Sequence, residues 1–295
     1  MEMSSLPESA ERFLNHLQVE RGLSPNSLLA YRSDLQKFFD SESFLDEDSF
    51  SRFLKKLHQS NLSVASITRI ISSLRSFSKF LRRNESNSFL VPQQRNRVSK
   101  RLPKALALET VISLIESCQD DVAGIRDRAI LELFYSAGIR VSEAVGLNLV
   151  DFRGNEETST SRFVRVIGKG SKERLVPVGA YAVVAMENYL VRARPHLSKD
   201  RSNPALFLNH HGRRLTRQGI WHLLKEASKR AGLSETVSPH QLRHSFATHL
   251  LQNGADVRSV QELLGHASVT TTQIYTMVTG DALREVFTES HPRAR

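Results

Sequence analysis

SPHQLRHSFATHLLQNGADVRSVQELLGHASVTTTQIY, residues 238–275, carries helix starts and stops that can be read from chemistry alone. Ser238 is a good N-cap, Pro239 suits the first helical position, and Gln241 completes a capping box. Leu242, Phe246 and Leu250 recur at i, i+4 and i+8, which gives the helix an apolar side, and Gly254 ends it. His240 and Arg243 are three apart and project together from the first turn, where unpaired N–H groups and the macrodipole favour an anion. That is a phosphate site in outline.

A second helix follows, capped by Asp256, with Val257, Val260, Leu263 and Leu264 as its buried stripe. Gly265 suits the left-handed residue that terminates a helix, so His266 falls on a turn, where function often resides. Ser268 can cap a last short helix. Val269 to Thr272 are poor helix formers, so the segment carrying Tyr275 is expected to be marginally stable and able to move.

Working back from this stretch, helices are expected at Glu109 to Cys118 and at Ile125 to Ala137, the latter burying Ile130, Leu131, Leu133 and Phe134. Gly138 stops that helix and Arg140 opens another, with Val141, Val145 and Leu147 inward. The period changes to two in Phe163–Ile167 and again in Glu173–Val178, which predicts a hairpin with Lys169 in its Gly168-Lys169-Gly170 turn. A helix from about Ala180 to Arg192, a short strand at Leu206–Leu208 and a helix from about Thr216 to Arg230 complete this part.

From Leu6 to about Asn84 the pattern is helical throughout and predicts a small four-helix bundle. Pro25 starts the second helix, Asp46 or Asp48 caps the third, and Ser63 or Ser66 opens the fourth. Arg69, Arg75, Lys79, Arg82 and Arg83 read as the outward face of the fourth helix, either a solvated surface or a DNA contact. Residues 85–103 are polar and basic, with Pro92 and Pro103, and read as a linker. The domains are therefore 1–84, helical, and 104–295, with 85–103 between them. The fold class is mainly α, with an α+β second domain holding a small antiparallel sheet.

The chain has 295 residues, enough for two cores, and a net charge of +10 with a pI near 10.0. Its lysines and arginines are spread along the chain, which suits a nucleic-acid partner better than a membrane. No apolar run approaches the roughly 18 residues of a spanning helix and no signal-peptide pattern opens the chain, so a cytoplasmic protein is expected. Cys118, the only cysteine, reads as a small buried hydrophobe.

His240-x-x-Arg243, Leu264-Gly265-His266 and Tyr275, joined upstream by Ala137-Gly138-Ile139-Arg140-Val141-Ser142-Glu143 and by Gly168-Lys169-Gly170-Ser171-Lys172-Glu173-Arg174, resemble the tyrosine recombinase (phage integrase) family. Taken singly, each residue has a plainer reading: a surface arginine, a helix cap, a turn histidine, a core tyrosine. Their joint order favours the chemistry. Two departures from the family pattern are Met277, where histidine is usual, and Ile139, where leucine is common.

The resemblance implies a fold of a four-helix core-binding domain followed by the family's catalytic domain, and an active site of Arg140, Lys169, His240, Arg243, His266 and Tyr275. Tyr275 would attack a DNA phosphate and form a 3′-phosphotyrosyl link, and Lys169 would protonate the leaving 5′-oxygen. His240 would assist proton transfer, His266 would bond the phosphate, and the two arginines would clamp it. Arginine suits that work because it can form paired N–H contacts to phosphate, and fixed cations stabilise the charge that gathers on the non-bridging oxygens. Glu143, one turn after Arg140, either orients that arginine or lies on the surface.

No cofactor or metal is expected. His240 and His244 stand at i and i+4, but Gln241 occupies the place of the zinc-protease glutamate, and the hairpin lacks the spaced first glycine of a Walker loop. The alternatives to recombination are a type IB-like topoisomerase and a non-catalytic DNA-binding module. Within the family the chain is most similar to the Xer pair of bacterial recombinases. Arg101–Lys104, Val164–Ile167 and Ile220–His222 favour one member of that pair. The implied partners are duplex DNA with a specific site, a sister recombinase (XerC-like) in a heterotetramer, and a septal DNA translocase (FtsK-like). The tail after Asp281 is implied to dock on a neighbouring subunit.

Overall fold

The computed structural model describes residues 6–84, 89–92, 105–152, 162–168, 173–200, 202–265 and 277–294. The chain divides into two compact units, residues 1–101 and 102–295. Among the described residues, the first holds α1 (Glu8–Val19), α2 (Pro25–Phe39), α3 (Glu47–Gln59) and α4 (Val64–Asn84). Ser24 caps α2 by accepting from Ser27 N–H at 3.3 Å, and Asp46 caps α3 through the Ser49 N–H at 2.8 Å. Phe13, Leu35, Phe38, Ile70, Leu74 and Phe77 are sealed between the helices.

Two of the arginines read as outward-facing are committed inside this unit. Asp34 on α2 is fully buried, and its carboxylate accepts from Arg69 Nη1 at 2.6 Å and from Ser73 Oγ at 2.8 Å. A buried carboxylate needs such a partner, and a long arginine can reach it while its own stem stays partly in water. Arg75 donates to the carbonyls of Val91 and Pro92, and Phe89 and Val91 pack against the bundle core, so these residues of the stretch 85–103 belong to its packing.

The second unit contains α5 (Leu108–Glu116), α6 (Val122–Ala137), α7 (Val141–Gly146), β1 (Arg162–Ile167), β2 (Glu173–Val178), α8 (Ala180–Asn188), α9 (Arg194–Leu197), α10 (Arg217–Arg230), α11 (Pro239–Gln252), α12 (Val257–Leu264) and α13 (Met277–Ser290). Every residue of α6 from Ala129 to Ala137 is buried, as expected of a helix apolar on most sides. It is packed against α8, α11 and β2. The strands form an antiparallel hairpin in which Val164 faces Val176 and Val166 faces Arg174. The described residues contain no helix long and apolar enough to cross a membrane.

Two expected elements differ. Leu206–Leu208 is not a strand: only isolated bridges, Asn148 with Ala205 and Leu208 with Arg214, are present. Scattered partners take the place of a ladder: Leu206 N–H donates to Leu147 O and Phe207 O accepts from Leu215 N–H, while Arg194 donates to the carbonyls of Asn203, Ala205 and Leu206 and the Tyr189 hydroxyl donates to Leu206 O and accepts from Leu208 N–H. The helix begun at Ala180 does not stop at Arg192. A π turn at Tyr189–Ala193 joins it to α9, just ahead of Pro195, which has no N–H to give a regular turn.

The end of the chain packs on its own domain. Phe287 joins Phe246, Leu250, Leu263 and Leu264 in one cluster, and Arg293 pairs with buried Glu132 and lies 3.9 Å over the Tyr181 ring. His291 is buried, donating from Nε2 to Tyr135 O and accepting at Nδ1 from Arg293 N–H. Within a single chain, the segment expected to reach a neighbour is thus held at home.

Candidate active site

The expected cap of α11 forms as drawn from sequence: Ser238 Oγ accepts from Gln241 N–H at 3.1 Å, and Gln241 Oε1 accepts from Ser238 N–H at 2.8 Å. His240 stands exposed in the first turn. Arg243, one turn on, is half-buried. Its Nη1 donates to Gly138 O at 2.5 Å and its Nη2 to Leu264 O at 2.6 Å.

Gly138 ends α6 in the left-handed conformation, φ 54°. A side chain there would also strike the Phe246 ring, whose Cδ1 lies 2.4 Å from where a Cβ would sit. The chain can therefore turn tightly off α6 and place Arg140 at the mouth of α7. Glu143, at the third position of α7, accepts from Arg140 N–H at 2.8 Å and from Arg140 Nη1 at 2.9 Å. Glu143 is 2% exposed at its side chain, so it is the orienting group of Arg140 and not a surface residue.

Gly265 ends α12 with φ 65°, as expected. The last carbonyls of this helix receive three guanidinium groups in sequence: Arg174 Nε on Leu263 O at 3.3 Å, Arg243 Nη2 on Leu264 O at 2.6 Å and Arg140 Nη2 on Gly265 O at 3.3 Å. Unpaired carbonyls at a helix C-terminus carry partial negative charge, which offsets the mutual repulsion of the three cations. Glu143 supplies the rest, pairing with both Arg140 and Arg174.

The electrostatics follow from this crowding. Burial, with the charges of Arg140 and Arg174 added, lowers the Arg243 guanidinium to about 10 against the pull of Glu143. Burial alone would raise the Glu143 carboxyl, but the hydrogen bonds from Arg174 and Arg140 hold it below the usual carboxylate range. Three guanidinium groups against one carboxylate leave excess positive charge on a surface where Arg140 is still 39% exposed. An anion with several acceptor oxygens suits such a surface.

The structure thus brings together Arg140 and Arg243 from separate helices and places His240 exposed on the helix of Arg243. Lys169, His266 and Tyr275 lie outside the described residues, as does the side chain of Met277. Arg174 was not singled out from sequence. A signal for it exists: the alternation of β2 puts Arg174 on the face of Val176 and Val178, and an inward arginine needs a buried carboxylate. Cys118 is buried and its thiol is pushed up to about 11 by desolvation, which suits the role of a small hydrophobe.

Comparison with known proteins agrees with this picture. Residues 104–281 match the phage integrase family and residues 10–85 match the phage integrase N-terminal SAM-like domain. A protein of Mycobacterium tuberculosis named tyrosine recombinase XerD is 45% identical, with 99% of this chain and 100% of that protein covered. One of Halalkalibacterium halodurans with the same name is 41% identical over the same shares. Among solved structures, a XerH site-specific recombinase bound to its difH substrate in a pre-cleavage complex is 25% identical, with a TM-score of 0.65 over 92% of this chain and 83% of that one. A lambda integrase dimer on a core site, 16% identical with a TM-score of 0.62 over 92% of this chain and 100% of that one, shares the fold.

Proposed function

The chain belongs to the phage integrase family and is a site-specific DNA tyrosine recombinase of the XerD type, and from that premise we propose that Arg140, Lys169, His240, Arg243, His266 and Tyr275 carry its reaction. The observation that supports the assignment most directly is the placement of Arg140 and Arg243 on successive carbonyls at the end of α12. The phosphate enters there, drawn to the free N–H groups of both arginines. Its non-bridging oxygens gain charge as the phosphorus becomes pentavalent, and the guanidinium groups are already in position to stabilise it.

Tyr275 attacks the phosphorus, the P–O5′ bond breaks, and a 3′-phosphotyrosyl link forms. The tyrosine proton leaves with the help of His240, and Lys169 gives a proton to the departing 5′-oxygen. His266 holds a non-bridging oxygen. The covalent link conserves the phosphodiester bond energy, so a 5′-hydroxyl from a second duplex reverses the step and exchanges strands without ATP. Domain 1–84 binds the duplex, and domain 104–295 binds and cleaves it. The partners are a specific duplex site, a XerC-like sister recombinase in a heterotetramer and an FtsK-like septal DNA translocase. The setting is the resolution of chromosome dimers in the cytoplasm.

The test is a nicked suicide duplex carrying the site recovered by crosslinking and sequencing. Wild type is expected to accumulate a covalent adduct, and Tyr275→Phe to bind the same duplex without one. Adducts persisting in Tyr275→Phe would remove the nucleophile assignment. Relaxation of supercoils with no strand joining to a second duplex would make the enzyme a topoisomerase.

A further inference from the structure

Arg174 has 11% of its side chain in contact with solvent, against 39% for Arg140. Its Nη1 and Nη2 form a paired bridge to Glu143, at 2.9 and 3.0 Å, and its Nε donates to Leu263 O. All three guanidinium nitrogens are thereby committed within the protein. Arg140 hangs on the same carboxylate: Glu143 Oε1 accepts from both Arg140 Nη1 and Arg174 Nη1. Without Arg174, Glu143 would be a buried carboxylate with a single ionic partner, free to rotate toward that partner or to take up a proton. The end of α12 is shaped around the same group, since a Cβ on Gly265 would lie 2.9 Å from Arg174 Nε.

We infer that Arg174 is a positioning residue of the cleavage reaction: by bridging Glu143 to the end of α12 it fixes the guanidinium of Arg140 in the orientation that receives the scissile phosphate. This rests on the recombinase reading above. Arg174 sits on β2, Glu143 on α7 and Leu263 on α12, so one guanidinium ties together the three elements around the phosphate site. A lysine cannot reproduce that tie, because it has no planar fork to span both carboxylate oxygens and a carbonyl.

The experiment compares wild type, Arg174→Met, Arg174→Lys, Glu143→Gln and the double variant Glu143→Gln/Arg174→Met. Cleavage of the suicide duplex and affinity for the same duplex are read separately. Misplacing a group by about 1 Å can slow a reaction by ~10²-fold, so both Arg174 variants are expected to cleave at least ~10-fold slower while duplex affinity changes less than ~2-fold. The double variant should be no slower than the slower single, because both act through Arg140. Cleavage near the wild-type rate in folded Arg174→Lys, or single effects that multiply in the double variant, would overturn the inference.

A second measurement needs no activity. The two Nη resonances of Arg140, assigned with Arg140→Lys, should be resolved by NMR in wild type and averaged in Arg174→Lys. Averaging in wild type, or resolution in both, counts against the inference. Wild type that forms no adduct would instead defeat the recombinase assignment, and the NMR comparison would still decide whether Arg174 holds Arg140.

Discussion

Replacing Arg243 with lysine keeps one positive charge at the site and is expected to slow cleavage by about 10²- to 10⁴-fold. The magnitude comes from donor counting. A guanidinium has five N–H donors, of which Arg243 gives one to Gly138 O and one to Leu264 O, leaving three for phosphate. Lysine has three donors in all; if it keeps both carbonyls, one remains. Two charge-assisted hydrogen bonds to the phosphate are lost, each worth about 1.5–3 kcal/mol. The sum, about 3–6 kcal/mol, is a factor of roughly 10² to 10⁴ at 1.36 kcal/mol per decade. The assay is single-turnover adduct formation on the suicide duplex at saturating protein, with affinity measured by mobility shift. A cleavage rate within about fivefold of wild type would show that paired recognition by Arg243 does not drive the step.

Burial pushes the His291 imidazole down to about 3, although Tyr135 O favours the charged form. The unfolded chain takes up that proton near pH 6.5 and the folded chain does not, so stability is full above that pH and falls by about 1.4 kcal/mol per unit between roughly pH 6.5 and 3. Thermal unfolding across this window should show a slope shallower by one proton in His291→Gln, and an unchanged slope would refute the assignment. Gly265→Ala places a side chain in a left-handed turn and against Arg174. It should lose about 1–2 kcal/mol in denaturant titration and slow cleavage, whereas wild-type stability would contradict the close approach. Deleting the chain from Asp281 removes Phe287, His291 and the Arg293 partner of Glu132. It should destabilise the catalytic unit by at least about 3 kcal/mol, through the uncovered core and the stranded carboxylate; an unshifted Tm would show that the tail is not part of the fold.

What the sequence determined alone was local. The cap at Ser238 and Gln241, the Asp256 cap, the glycine stops at 138 and 265 and the alternation of the hairpin all depend on residues within a turn or two of one another, and all formed as expected. Helix periodicity likewise placed most of the cores of both units; Val257, expected in the buried stripe of α12, is instead exposed. Leu206–Leu208 misled because its apolar run reads as a strand, while its backbone is satisfied piecemeal by the Tyr189 and Arg194 side chains and by single backbone bonds with Leu147 and Leu215.

The tertiary structure decided the partners of the long cations. Arg140 reaches a carbonyl 125 positions away, Arg243 one 105 positions away, and Arg174 a carboxylate 31 positions away. Arg69 and Arg75, outward by helical period, turn back to Asp34 and to the carbonyls of Val91 and Pro92. A guanidinium on a flexible stem has no preferred partner encoded nearby. It goes where packing leaves a buried carboxylate or an unpaired helix end, and such places exist only once the elements have come together.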